Sequence, residues 1–128
     1  MSRFYHVDIA RFAADADAKW VDNLLSHFDV PGVESARQGF ARRISELGVY
    51  HIALVRILTR ELGMTTGNAV PLASQLLSVG AVSIPPGLEF HLERSVFEGV
   101  VDRRLSEAVE SIAPARRGRP PKRTTNTE

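Results

Sequence analysis

The residues with the plainest chemical purpose stand near the end of the chain, in Arg116-Arg117-Gly118-Arg119-Pro120-Pro121-Lys122-Arg123. Gly118 has no side chain, so its backbone can lie against the floor of a groove only about 6 Å wide, and Pro120 and Pro121 hold the following strand extended. Arg117 and Arg119 can then point in opposite directions along that floor. The narrow minor groove of A·T-rich DNA concentrates negative potential and draws arginines of this kind. Arg116, Lys122 and Arg123 would meet phosphates, adding affinity that is independent of sequence and weakened by salt. The last sixteen residues hold five basic side chains against Glu128 alone, so they carry +4 while the rest of the chain carries −3, a division hidden inside the net +1. RNA and acidic proteins are the other polyanions that fit such a tail, and a plain solvated end is the bland alternative.

Other chemistries find less to work with. His6, His27, His51 and His91 are scattered with no pair at metal-ligand spacing, and the chain has no cysteine. No Gly-rich phosphate loop, nucleophile elbow or His/carboxylate cluster is visible, so neither an enzyme nor a cofactor is expected. No apolar run approaches the roughly 20 residues of a membrane span. The N-terminus lacks the apolar stretch of a secretory signal. These features lead to the expectation of a cytoplasmic, nucleoid-associated protein that does not enter a membrane.

The elements that must position these residues follow from apolar spacing. Val7, Ile9, Phe12 and Ala13, then Val21, Leu24, Leu25 and Phe28, predict two short helices, about 8–14 and 18–28, with Asp15 or Asp17 able to cap the second. Trp20 is read as a core residue. Pro31-Gly32 breaks the pattern, and 33–44 reads as a turn or short hairpin with a basic edge, Arg37, Arg42 and Arg43. Ser45 is placed to cap a long amphipathic helix that closes at Gly63. Thr65 or Thr66 opens the next helix, with Pro71 expected in its first turn and Gly80 at its end. Val82 and Ile84, then Leu88, Phe90 and Leu92, alternate around Pro85-Pro86-Gly87 and predict a hairpin. A last amphipathic helix over 94–112 needs a partner for its apolar stripe, either this domain or a second copy of it. Beyond Pro114 nothing is apolar enough to pack, so a disordered tail is expected.

Two resemblances sharpen these expectations. The core Arg117-Gly118-Arg119-Pro120, flanked by further basic residues, resembles an AT-hook. Over about residues 7–78, the order helix, turn, helix, Gly-containing basic wing, then Arg42-Arg43-Ile44-Ser45 opening a long helix that ends Arg60-Glu61-Leu62-Gly63, is similar to MerR-type DNA-binding domains. The first helix-turn-helix departs from that pattern, carrying Ala14-Asp15-Ala16-Asp17 where a glycine is more usual. A hairpin also intervenes before Arg94, where many MerR proteins continue into a long coiled-coil helix. The resemblance implies that the second helix enters the major groove, with Asp17, Lys19, Asp22, Asn23 and Ser26 toward the bases; Lys19 and Asn23 can donate to base edges. Because that helix is poor in positive charge, the phosphate contacts are assigned to Arg37, Arg42 and Arg43 of the wing, with Arg11 on the first helix as a helper.

The fold class expected is therefore mainly α: a winged helix-turn-helix-like helical domain over 1–112 with one or two small β-hairpins, and a disordered basic tail over 113–128. Its expected partner is double-stranded DNA, A·T-rich by preference, bound as a homodimer by a transcriptional regulator. An architectural protein of the nucleoid, and an antitoxin or adaptor that binds protein through residues 94–112, are the alternatives.

Overall fold

A computed structural model of the protein describes residues 4–34 and 42–111. The chain runs β1 (Phe4–Tyr5), α1 (Val7–Ala14), α2 (Ala18–His27), β2 (Val33–Glu34), β3 (Arg43–Ser45), α3 (Glu46–Leu62), α4 (Thr66–Val79), β4 (Ala81–Ile84), β5 (Leu88–His91) and α5 (Arg94–Ser111). It is mainly helical with two small antiparallel sheets, one of order β1-β3-β2 and the other the β4-β5 pair. No helix among the described residues is long and apolar enough to cross a membrane.

Each of the first four helices begins where a side chain satisfies a free N–H group of its first turn. Nδ1 of His6 accepts from the Asp8 amide, Asp17 accepts from the Trp20 amide at 2.7 Å, Ser45 from Gly48 and Thr65 from Asn68. Gly63 and Gly80 close α3 and α4 in the left-handed conformation. Pro71 is a correction to the expected layout. With Thr65 as cap and Thr66 as first residue, it lies in the second turn of α4, not the first. Its missing N–H leaves the carbonyl of Gly67 without its helical donor, and both residues are exposed, so water can serve that carbonyl.

The core is built around α1, which packs against both α3 and α5, while α4 lies along α3. Ala10, Ala13 and Ala14 are buried, and their small side chains let the neighbouring helices approach. Val21 and Leu24 of α2, Val49, Ile52 and Val55 of α3, and Leu72, Leu76 and Leu77 of α4 fill the interior. Part of the stripe of α5 finds its partner within this chain: Val101, Leu105 and Ala108 are buried in the same core, while Val96 and Val100 stay exposed. Tyr50 fastens α5 further, donating to Asp102 at 2.6 Å and packing at a tilt on Phe97. Burial and the Asp102 carboxylate hold its phenol well above the usual range.

β1 was not apparent from periodicity, because two residues are too few to show any. It pairs with β3, Tyr5 opposite Ile44, on the side away from β2. The hairpin over 81–91 is as expected, with Ile84 opposite Leu88 and Gly87 supplying the positive φ that the turn requires.

Candidate nucleic-acid interface

α1 and α2 are joined by three residues, 15–17, and the geometry of the turn rests on Asp15. It adopts φ 57°, ψ 51°, the left-handed region that glycine usually serves, and its amide donates to the Phe12 carbonyl. Aspartate tolerates this conformation better than most residues. A second group holds it there: Arg60, in the last turn of α3, donates to both the Asp15 carbonyl (3.2 Å) and its carboxylate (3.0 Å). The same guanidinium meets Glu61, and these carboxylates raise its pKa further. The Arg60-Glu61-Leu62-Gly63 helix end thus reaches back 45 residues to pin the turn.

α2 is amphipathic along its length. Val21 and Leu24 are buried, Trp20 and Leu25 half-buried, and Lys19, Asp22, Asn23 and Ser26 form an exposed stripe at spacings of three and four. Ten residues make a rod about 15 Å long and 10–12 Å across with side chains, a fit for the roughly 12 Å major groove. Lys19 and the Asn23 side chain have no hydrogen-bond or ion-pair partner among the described residues. Trp20 packs against the core with the Arg56 guanidinium 5.0 Å from its ring centre.

The strand β3 is anchored twice. Arg42, just ahead of β3, donates from its two terminal nitrogens to Asp22 (3.0 Å) and Ser26 (3.1 Å) of α2. At the other end of β3, both the amide and the hydroxyl of Ser45 donate to the Gly32 carbonyl, and the hydroxyl also caps α3. Gly32 and Gly48 make this possible. A Cβ on Gly32 would fall on the Gly48 backbone, and one on Gly48 would come 2.7 Å from the Gly32 carbonyl. The Arg-Arg-Ile-Ser segment is therefore a clasp, holding β3 to α2 at one end and, through Ser45 and Gly32, to the start of α3 at the other.

The structure divides the residues singled out in the sequence. Lys19, Asn23 and Arg42 gather on and beside the exposed stripe of α2. Arg43 is exposed on β3, opposite Glu34 at 3.7 Å and stacked 4.0 Å over the Phe4 ring. Arg11 stands apart from both groups, ion-paired with Asp8 at 3.6 Å, and lines a cleft with Arg56, Arg60 and Arg104. Arg37 and the tail residues Arg116, Arg117, Gly118, Arg119, Pro120, Lys122 and Arg123 lie outside the described residues. Sequence reasoning missed the roles of Asp15 and Arg60. The pair was detectable only in part, through the polar turn where glycine is more usual and the arginine at the helix end; nothing local says that the two meet. No family model, no curated protein and no solved structure matches this chain.

Proposed function

We propose that this protein binds double-stranded DNA as a transcriptional regulator, with a MerR-like winged helix-turn-helix in its body and an AT-hook-like tail. The observation that carries the reading is the clasp between the wing and α2. Arg42 holds the wing strand to Asp22 and Ser26, while Lys19 and Asn23 stay exposed and unengaged on the same helix. A short helix with free donors, fixed at one flank by a basic hairpin and at its leading end by a pinned turn, is suited to major-groove docking. Arg43 stands where a phosphate contact would orient it, and the tail supplies a second, weaker contact in an adjacent A·T-rich minor groove. Tethering raises the local concentration of the second module, so two weak contacts act as one useful one.

The pairing of Asp22 with Arg42 also addresses the low positive charge of α2, since the carboxylate that would repel phosphate is neutralised from the wing. A homodimer on a two-fold-related site belongs to the same proposal. Footprinting on genomic fragments with the full chain tests it. Discrete protected sites that weaken in Lys19→Ala and Asn23→Ala by roughly 1–3 kcal/mol each support base readout by α2. Continuous coverage, unchanged in those variants, would instead favour an architectural role.

A further inference from the structure

Two hollows meet where α3 and α5 approach the helix-turn-helix. One is a cleft of about 600 Å³ into which Arg11, Arg56, Arg60 and Arg104 project from three helices. The other is a groove of about 210 Å³ walled by Ile57, Val96, Phe97 and Val100, and it shares Arg60 and Arg104 with the cleft. Two guanidiniums thus stand at the seam between an apolar wall and a cationic one. On the apolar side, Val96 is 65% exposed and Val100 and Ile57 are each 37% exposed, hydrocarbon left to water on two helices. On the cationic side, Arg104 has no hydrogen-bond or ion-pair partner among the described residues. Arg56 is held against Trp20, and its Nε is buried without an acceptor. Three carboxylates, Asp15, Asp17 and Glu107, line the cleft with the four guanidiniums; Arg60 is engaged by Asp15 and Glu61 and Arg11 is paired with Asp8 at 3.6 Å, which leaves Arg56 and Arg104 without an acidic partner of their own among the described residues.

We propose that this seam binds a small amphiphilic carboxylate. Its hydrocarbon part lies along the groove and its carboxylate is received by Arg104 with Arg60. The chemistry follows from the two walls: a planar guanidinium matches two carboxylate oxygens, and binding sites of this kind combine an apolar lining with a few fixed polar groups. The size follows from the volume, because an apolar cavity of roughly 150 Å³ holds one benzene ring, so the groove suits a single ring or a short alkyl chain. Phosphate alone would leave the apolar wall uncovered. A carboxylate on Arg60 competes with Asp15 for the same donors and so loosens the turn before α2. That regulatory consequence rests on the DNA-binding reading; the binding site itself does not.

Calorimetric titration of the full chain with octanoate, 1-octanol and inorganic phosphate tests the site, with the fluorescence of Trp20, the single tryptophan, reporting through Arg56, which lines the cleft and packs on its ring. Octanoate is expected to bind saturably and to perturb Trp20, octanol to bind about tenfold more weakly for want of the charged contact, and Arg104→Gln to lose about tenfold toward octanoate alone. Absence of saturable octanoate binding, octanol binding as tightly as octanoate, equal binding by phosphate, or an unchanged Arg104→Gln would each overturn the proposal. So would a dimer that Val96→Glu dissociates and octanoate leaves intact, since the groove would then belong to a second copy. The regulatory step is read separately, as a fall in DNA affinity at saturating octanoate.

Discussion

Asp15, Arg60 and His51 show how much rests on single side chains far apart in sequence. Asp15 occupies a left-handed position that costs an ordinary residue roughly 1–2 kcal/mol. Asp15→Gly should therefore stay near the parent in chemical denaturation, while Asp15→Val should fall below Asp15→Gly by about that amount; equal stability of the two variants would contradict a left-handed backbone at this position. His51 is buried at 4% exposure, with Nδ1 against the Leu47 carbonyl and Nε2 without a partner. Burial lowers its pKa below the ordinary value of about 6.5, so the folded chain favours the neutral ring. The unfolded state then binds the proton more readily, and the stability this contributes is complete above about pH 6.5 and is lost as pH falls through that value toward the folded pKa. Thermal unfolding between pH 7.5 and 5 should show this loss in the parent and a shallower dependence in His51→Leu. Sequence gave no sign of either role, since a histidine on a helix and an aspartate in a turn are each consistent with ordinary solvated positions.

The elements were legible wherever a period or a cap wrote them locally. Helices with apolar residues at three and four residue steps, Ser45 as a cap, and alternation around Pro85-Pro86-Gly87 all appear as read. What depended on distant partners was not legible: β1 needs β3 to exist, and only packing revealed that α5 covers α1. The Gly32–Ser45–Gly48 contact belongs to this class and yields a graded prediction. Gly32→Ala combines a positive φ of 87° with collision against α3, whereas Gly63→Ala has a positive φ but open space around it. Urea unfolding should place the first at a loss of about 2 kcal/mol or more and the second near 1 kcal/mol. Two arginines at β3 separate in a similar way. Arg42 is engaged with α2, so on the proposed reading Arg42→Ala should weaken DNA binding while leaving the salt slope nearly unchanged; if Arg43 meets a phosphate as proposed, Arg43→Ala should reduce the slope by about 0.9.

At the scale of the whole molecule, the chain is a body carrying −3 joined to a tail carrying +4. A body of that sign does not gather DNA by net charge, so any affinity it has must come from local geometry: the exposed stripe of α2, the clasped wing and Arg43. On the proposed reading the tail would bring electrostatic reach and A·T preference, and Arg117→Ala with Arg119→Ala should then lose affinity chiefly on A·T-flanked sites. The central claim is that both parts contact DNA, and its most direct test compares the full chain with one ending at Ala113 on A·T-rich and G·C-rich duplexes across a salt series. The account predicts that truncation removes the A·T preference and lowers the salt slope but leaves measurable, salt-dependent binding by the body. Complete loss of binding on truncation would contradict it, and would make the tail the sole DNA ligand and the body an interaction domain.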